Sequence, residues 1–270
     1  AVLACWNEGQ RLRTEYDHPG DPDSRDITCL IRVTDPHGEP RIHRAFPGGL
    51  DDLEKYRCEV LYGVHDHWID PDAGKWTYTY HQRLREHGSD RVDQLAAAVA
   101  KLRQAPHTRR AQAITWDVAR DAGSDEPPCL QRLWFRVVPD EGGDGPGRLH
   151  MNVHIRSNDA FKAAFMNMYA FTELQATVAD EVGVPPGEYV HVADSFHIYG
   201  SYFDEFEGFL TSIETRSETD RTYTTNFSRP FFLEGCQALL AEADMPEDKR
   251  RLVHERIEQL SERAGVSPVG

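Results

Sequence analysis

The chain has 270 residues, of which 39% are hydrophobic and 28% are charged, and its formal net charge is −15. Length and composition are typical of a globular protein that buries a sizeable core. The acidic excess excludes a surface built for duplex nucleic acid, which requires many cationic contacts with phosphates. No apolar run approaches the ~20 residues that cross a bilayer. A small phosphorylated ligand stays compatible with this charge, because it needs only a local group of arginines.

The cysteines stand at positions 5, 29, 58, 129 and 236. Their number is odd and no CxxC pair is present, so we expect neither a disulfide scaffold nor a metal site. Residues 1–8 lack the basic flank of a signal peptide. We therefore predict a cytoplasmic protein with reduced thiols, one of which is suited to act as a nucleophile.

In the first half of the chain, turn-rich and periodic segments alternate. A polar loop at 15–26 precedes a strand at 28–33. A helix is predicted at 53–64, where apolar residues recur at helical spacing. An Ala-rich helix at 90–104 ends before a proline, and a strand follows at 111–118.

The second half begins with two predicted strands, at 133–138 and 149–155, joined by a Gly/Asp-rich hairpin loop at 140–147. A long helix at 161–182 has few polar residues in its first half, so we expect it to be central and buried. It leads into a strand at 189–199. Helical patterns return at 201–214, 232–243 and 247–264.

This order of elements predicts an α+β fold, with a mixed or antiparallel sheet backed by helices. Periodicity alone does not give the order of the strands in the sheet. We expect one domain over residues 1–270, with a divergent helical part at 215–270.

Three segments carry side chains suited to binding and attacking a phosphorylated ring. Arg109 and Arg110 precede a strand, and paired guanidinium groups are good at gripping a phosphate dianion. Arg156 and Ser157 end another strand and add donors. Cys129 follows two prolines, which hold its backbone extended. Nearby arginines are expected to lower the pKa of its thiol and so favour the nucleophilic thiolate.

The ordered set of motifs resembles the thymidylate synthases and the related pyrimidine nucleotide hydroxymethylases. It runs Arg-Arg, Pro-Cys, Arg-Ser-x-Asp and His-x-Tyr, and the match covers residues 59–199, roughly half of the chain. Each motif is weak alone, whereas the order and separations are specific. The resemblance implies a thymidylate synthase-like fold, a homodimer packed through its sheets, and 5,10-methylenetetrahydrofolate as co-substrate.

The same resemblance implies three catalytic roles. Cys129 would add to carbon 6 of the pyrimidine, which makes carbon 5 nucleophilic enough to attack the folate methylene. Glu59 resembles the glutamate that organises water and proton transfer. Tyr80 resembles the tyrosine implicated in removing the carbon-5 proton, with Tyr78 as its competitor.

Five residues would hold the nucleotide phosphate. Arg156 and Ser157 would bind it within one chain, by resemblance to the family. Arg109 and Arg110 would reach the phosphate of the neighbouring subunit, which is why the resemblance implies a dimer. Arg25 is the candidate for a further, N-terminal phosphate arginine.

The sugar, the base and the folate would meet a second set of side chains. His197 and Tyr199 would bind the ribose hydroxyl, and Asp159 would bind the pterin. Asn167 would contact the edge of the base, although a shift of one residue places Met168 there instead. An amide pairs with uracil and a carboxylate suits the amino group of cytosine, so the base stays open.

Three departures from the synthase pattern bear on the product. Leu130 follows Cys129, where the synthases have histidine. Neither Trp68 nor Trp76 stands in the context of the tryptophan that shields the exocyclic methylene. No counterpart of the segment that closes over folate is recognisable at 263–270. A less shielded methylene favours attack by water over hydride transfer.

These departures predict a CMP or dCMP 5-hydroxymethylase, of the kind used in modified-base or nucleoside antibiotic biosynthesis. Two alternatives remain. A thymidylate synthase would share the site and methylate dUMP. A nucleotide-binding protein without turnover would share only the fold.

Overall fold

The computed structural model describes residues 1–143 and 145–262. Within them the strands are β1 (Gln10–Leu12), β2 (Ser24–Val33), β3 (Ile42–His43), β4 (Ala111–Ile114), β5 (Leu130–Val138), β6 (Arg148–Asp159), β7 (Pro186–Ile198) and β8 (Thr222–Tyr223). Six of them form one sheet in the order β1-β2-β7-β6-β5-β4. β6 and β7 are parallel, and the other neighbours in this sheet are antiparallel. The expected mixed sheet is confirmed.

Helices cover this sheet and extend beyond it. They are α1 (Val2–Glu8), α2 (Leu50–Tyr62), α3 (Tyr80–Arg85), α4 (Gln94–Gln104), α5 (Val118–Asp121), α6 (Ala164–Val182), α7 (Phe203–Thr215), α8 (Thr225–Leu240) and α9 (Glu247–Glu262). Short 3-10 turns lie at Asp66–Trp68, Pro71–Ala73, Gly200–Tyr202 and Thr219–Arg221. In the described part of the chain no helix has the length and apolar character needed to cross a membrane.

The long helix α6 is the centre of the fold, as its apolar sequence predicts. It connects the two parallel strands β6 and β7, and its residues Phe171 and Leu174 pack with Phe135 of β5 in the main core. Burying each of these side chains stabilises the fold by about 1.5–3 kcal/mol. Gly183 ends the helix at φ 88°, in the left-handed region that favours glycine. The sheet and α6 together fix the positions of β6 and β7.

Two predicted boundaries are wrong because aspartates act as helix caps. α4 begins later than predicted, since the carboxylate of Asp93 accepts a hydrogen bond from the backbone N–H of Ala96 at 2.9 Å. β4 ends at Ile114 and does not reach Val118. That residue starts α5, whose cap is Asp117.

Two helices, α8 and α9, occupy most of the described part of 215–270, which also contains one short strand. β8 pairs with β3 in a separate two-stranded sheet, with Ile42 opposite Tyr223. α8 begins at Thr225, because the side chain of Thr224 caps it. The predicted absence of a folate-closing segment concerns residues 263–270, which lie outside the described residues.

Candidate active site

One end of the six-stranded sheet collects most of the predicted site residues. β6 and β7 are parallel, so their carboxyl ends meet there, with Asp159 opposite His197. β5 is antiparallel to β6 and begins at the same end, which places Cys129 beside Arg156. β2 adds Arg25 near its start. Residues spread over more than 170 positions of sequence thus converge through strand register.

Arg156 holds the turn that carries Cys129. Its Nε donates to the carbonyl of Pro128 at 3.1 Å, and its Nη2 donates to the carbonyl of Pro127 at 2.6 Å. Its backbone N–H donates to the carbonyl of Cys129 at 2.9 Å. A guanidinium has five N–H donors, so others remain for a ligand. The arginine is therefore placed to bind an anion and to fix the thiol at once.

The thiol of Cys129 is half-buried at this turn. Burial raises its pKa above the ordinary value, and the positive charge of Arg156 offsets this only in part. Arg156 lowers this pKa as predicted, but burial outweighs it, so the net shift in the ligand-free site is upward. Near neutral pH the thiol carries its proton, so forming the thiolate requires a group that accepts a proton.

Two tyrosines flank the same turn. The hydroxyl of Tyr80 accepts a hydrogen bond from the backbone N–H of Leu130 at 3.3 Å. The side chain of Tyr78 lies near the backbone of Cys129, and its ring centre lies 5.8 Å from that of Tyr80. Burial raises the pKa of Tyr78 to about 12. Both competitors therefore adjoin Cys129, and the geometry does not choose between them.

A chain of neutral hydrogen bonds, here called the amide–histidine relay, runs from α2 into the sheet. Tyr56 donates to Asn167 at 2.5 Å, and Asn167 donates to Asn158 at 3.1 Å. Asn158 bonds His191 at 2.9 Å, and His191 bonds Tyr189 at 2.8 Å. Asn167 is 8% exposed and Asn158 is 2% exposed. Asn167 is therefore buried, and its hydrogen bonds to buried neighbours fix its orientation.

Glu59 lies on α2 one turn after Tyr56, on the same face of the helix. Its carboxylate bonds Nδ1 of His65 at 2.9 Å. The other side of His65 faces Glu242 at 3.5 Å, and its ring stacks on Trp68 with centres 3.9 Å apart. Burial alone would lower the pKa of His65, but the two carboxylates outweigh it and raise the pKa.

The predicted ribose residues adjoin each other at the end of β7. The rings of His197 and Tyr199 meet edge to face, with centres 4.6 Å apart. Ser195 bonds Nδ1 of His197 at 3.0 Å and donates its own hydrogen to Asp26. Burial lowers the pKa of His197, which favours the neutral ring. A sugar hydroxyl would meet a neutral donor–acceptor pair here.

Asp159 is partly committed to the backbone. One carboxylate oxygen accepts from the N–H groups of Phe161 and Lys162, at 2.9 and 2.8 Å. These bonds shape the turn that leads into α6. Burial raises the pKa of Asp159 in spite of them. Its role in binding the pterin stays a prediction.

The other arginines predicted to bind phosphate divide into two groups. Arg109 and Arg110 are exposed and precede Ala111, which pairs with Phe135. Phe135 lies five positions along β5 from Leu130, about 17 Å along the strand. The structure does not bring this pair to the thiol within one chain.

Arg25 is placed differently. Its guanidinium lies over the ring of Trp6, 5.7 Å from the ring centre. Its Nε is buried and has no hydrogen-bond partner within residues 1–143 and 145–262. A buried donor of this kind favours a ligand that accepts from it.

One group of three side chains in the described residues has the spacing of a metal site: Glu54, Cys58 and Cys236. Its chemistry does not suit a metal. Arg256 takes both oxygens of Glu54, at 2.7 and 3.0 Å. A hydrogen bond with Cys236 and burial hold the pKa of the Cys58 thiol well above its ordinary value. Protonated thiols are poor metal ligands.

The sequence motifs did not point to several residues around this site. They are Tyr56, Asn158, His191, Tyr189, His65, Ser195 and Asp26. Two signals were available. Tyr56 precedes Glu59 by one helical turn, and Tyr189 and His191 occupy alternate positions of one strand and so face the same side.

Comparison with known proteins gives one consistent result. The thymidylate synthase family model matches residues 51–225. A Methanocaldococcus jannaschii protein named "putative thymidylate synthase" is 31% identical over 216 residues, which cover 74% of this chain and 88% of that protein. A Methanopyrus kandleri protein of the same name is 37% identical over 65% of this chain and 77% of its own length.

A solved structure has the same fold. Thermostable thymidylate synthase A from Bacillus subtilis matches with a TM-score of 0.57 and 21% sequence identity. The match covers 76% of this chain and 79% of that chain. It therefore extends well beyond the segment that carries the motifs.

Proposed function

The chain belongs to the thymidylate synthase family, and on that premise we propose that it hydroxymethylates carbon 5 of CMP or dCMP. The reaction combines the nucleotide, 5,10-methylenetetrahydrofolate and water, and it releases the 5-hydroxymethyl nucleotide and tetrahydrofolate. One carbon–carbon bond forms at carbon 5, and the carbon-5 proton leaves. No hydride moves, so the folate leaves without being oxidised.

The turn at Cys129 carries this proposal. Three hydrogen bonds from Arg156 to backbone carbonyls hold the turn that carries the half-buried thiol, and Tyr78 and Tyr80 lie beside this turn. We propose that Cys129 attacks carbon 6 and that one of the tyrosines takes part in removing the carbon-5 proton. The guanidinium of Arg156 would pair with the phosphate through its remaining donors.

The residue after the nucleophile supports the choice of water over hydride. Leu130 is fully buried, so the position carries core packing and no imidazole. Trp68 stacks on His65 and donates its indole N–H to Asp244 at 3.2 Å. Trp76 is 40% exposed. An indole held in this way would leave a methylene at carbon 5 open to water.

The positions of other side chains support the remaining roles. We propose that His197 and Tyr199 bind the ribose, that Asp159 meets the pterin, and that Glu59 organises water. Further phosphate contacts would come from Arg25 in the same chain and from Arg109 and Arg110 across a homodimer, since those two lie far from the thiol within one chain. The five free thiols support a reducing, cytoplasmic location.

The names of the relatives favour a second candidate, methylation of dUMP. In that reaction, hydride from the folate reduces the methylene to a methyl group and dihydrofolate is formed. Asn167 is compatible with it, because an amide pairs with uracil.

Product analysis separates the two candidates. The protein is incubated with methylenetetrahydrofolate and with CMP, dCMP, UMP or dUMP in turn, and the nucleotides are analysed by mass. We expect the cytosine nucleotides to gain one CH₂O unit without formation of dihydrofolate. Methylated dUMP accompanied by dihydrofolate would contradict the proposal.

A pair of cysteine variants tests the nucleophile. Cys129→Ser should abolish tritium release from carbon 5 of the labelled nucleotide. Cys29→Ser removes another half-buried thiol, on β2, and should leave release unchanged. Equal release from both variants would exclude Cys129 as the attacking group. No release from the wild-type protein with any of the four nucleotides would favour a binding protein without turnover.

A further inference from the structure

The amide–histidine relay has a direction. Nδ2 of Asn158 carries hydrogens and faces Nε2 of His191 at 2.9 Å, so that ring nitrogen must accept. Oδ1 of Asn158 accepts from Nδ2 of Asn167 at 3.1 Å. Oδ1 of Asn167 accepts from the hydroxyl of Tyr56 at 2.5 Å. Each group thus decides which atom the next one presents.

His191 is the group that sets this direction. It is fully buried, and burial lowers its pKa to about 4, so the ring is neutral near pH 7. A neutral imidazole has one N–H, and because Nε2 accepts, the hydrogen is on Nδ1. Nδ1 lies 2.8 Å from the hydroxyl of Tyr189, which accepts it. In the opposite tautomer, Asn158 and Asn167 would both have to turn over their amides to keep every bond.

The two orientations of the Asn167 amide suit different bases. Uracil presents a carbonyl at carbon 4 beside an N–H, whereas cytosine presents an amino group beside a bare nitrogen. A single amide pairs with both only by exchanging the positions of its oxygen and nitrogen. Beyond the relay, Asn167 keeps one lone pair on Oδ1 and one hydrogen on Nδ2, which form such a pair.

We propose that Asn158, His191 and Tyr189 are positioning residues that select the pyrimidine base by locking the amide of Asn167 in one orientation; this deepens the proposed function and rests on it. All three are at most 2% exposed. They act through Asn167. Reversing the lock turns over a whole row of hydrogen bonds or leaves a buried polar atom unpaired, which is unfavourable.

The first test reads the tautomer without any activity. The ligand-free protein is labelled with ¹⁵N-histidine, and the signal of His191 is assigned by its loss in His191→Gln. We expect a protonated Nδ1 and an unprotonated Nε2 at pH 7. A protonated Nε2 or a charged ring would overturn the proposal. This readout stays valid even if the proposed reaction is not found.

The second test measures base selection by equilibrium binding of CMP and UMP. Tyr189→Phe removes only the hydroxyl that receives the His191 proton, at the far end of the relay. We expect the ratio of the larger to the smaller dissociation constant to fall by about five- to tenfold, which corresponds to the free energy of one neutral hydrogen bond. The matched control is Tyr169→Phe, which changes a different buried tyrosine. This residue lies on α6, and its substitution should change the ratio less than twofold. An unchanged ratio in Tyr189→Phe would overturn the proposal.

Asn158 offers a rescue that a merely structural role would not show. Asn158→Leu cuts the relay and should lose the base preference. Asn158→Asp keeps an oxygen that accepts from Asn167, so it should retain the preference while the tautomer of His191 reverses. Loss of preference in both variants alike would contradict the lock. Failure of the wild-type protein to bind either nucleotide would overturn the proposed function, whereas the tautomer test would still be decided on its own.

Discussion

Two buried polar clusters share the helices α2 and α6, and they are built in opposite ways. The amide–histidine relay joins the helices through Tyr56 and Asn167 and contains no charge. The second cluster, here called the carboxylate–arginine cluster, joins them through Arg57 and Glu173 at 3.0 Å. Its members are Arg41, Glu54, Arg57, Glu173 and Arg256.

The two clusters serve different purposes: one stabilises the packing of the helices, and the other orients the amide of Asn167. In the carboxylate–arginine cluster every desolvated charge faces an opposite charge, so one arrangement is strongly preferred and removing one partner is costly. In the relay each bond is neutral and modest, so the arrangement depends on which atom each group presents to its neighbour. The charges fix how the helices pack, while the neutral neighbours of Asn167 determine the orientation of its amide. Three predictions test this division, and a fourth concerns the neighbouring pair of Glu59 and His65.

The largest effect is expected for Glu173→Gln. The change leaves Arg57 buried with less compensation and removes the partner of Arg41, whose Nη1 lies 2.8 Å from Glu173. We expect the free energy of unfolding in urea to fall by about 3–5 kcal/mol. The control, Glu181→Gln on the same helix, faces Arg85 at 3.7 Å near the surface and should cost less than about 1 kcal/mol. Equal losses in the two variants would show that the buried ion pairs of Glu173 stabilise the fold no more than a surface ion pair does.

Acid should weaken the same cluster. Burial tends to raise the pKa of Glu173, but Arg57 and Arg41 outweigh it and hold the pKa at about 2, below the ordinary 4.5. A lowered pKa stabilises the folded state above pH 4.5, and this stabilisation is lost as the pH falls from 4.5 towards 2. The loss amounts to roughly 3 kcal/mol. Urea unfolding of wild type and Glu173→Gln across this range should therefore converge, and a constant difference would contradict the assignment.

Tyr56→Phe should have a smaller effect on stability. It removes one neutral hydrogen bond and leaves Oδ1 of Asn167 without its donor. We expect a loss of about 1 kcal/mol in the free energy of unfolding. Tyr16→Phe, at a ring that is 57% exposed, is the control and should change it by less than about 0.5 kcal/mol. A loss as large as that of Glu173→Gln would show that the relay also holds the helices.

The smallest effect is expected at His65, which brings a charge to the helix face that carries Glu59. Because the folded-state pKa is raised by Glu59 and Glu242, the stabilisation is fully present below pH 6.5 and is lost as the pH rises through the raised value. Thermal unfolding between pH 6 and 9 should show this slope in the wild type and not in His65→Gln. His254→Gln, at an exposed position of α9, should keep the slope. If His65→Gln kept the same dependence of stability on pH, the interaction of His65 with Glu59 and Glu242 could not be its cause.

Much of the fold could be predicted from the sequence, because long periodic segments dominate it. The hairpin of β5 and β6 and the central helix follow from apolar spacing and from turn residues. The misplaced ends of α4 and β4 depend on Asp93 and Asp117, whose side chains bond backbone N–H groups nearby. Whether an aspartate caps a helix or faces water depends on how the preceding chain arrives, which periodicity does not encode.

Only part of the candidate site could likewise be predicted from the sequence. Cys129 and Arg156 could be paired from motif order, and strand register places them together. The relay could not be predicted, since Tyr56 lies 111 positions from Asn167, and Asn158 lies 33 positions from His191. Hydrogen bonds between distant neutral groups leave no periodic trace in a sequence. The upward direction of the Cys129 pKa was also hidden, because burial is a property of the packed chain.

The pairing of β2 with β7 has a consequence for how the protein is made. Arg25 lies opposite Ile198, 173 positions later in the chain, and β2 joins the main sheet only through β7. A ribosome therefore releases β2 long before its partner strand exists. Closing so long a loop is slow, so we expect β2 to gain hydrogen-exchange protection last during refolding. The first long strand to be synthesised would then be the last to complete the end of the sheet where the nucleotide is proposed to bind.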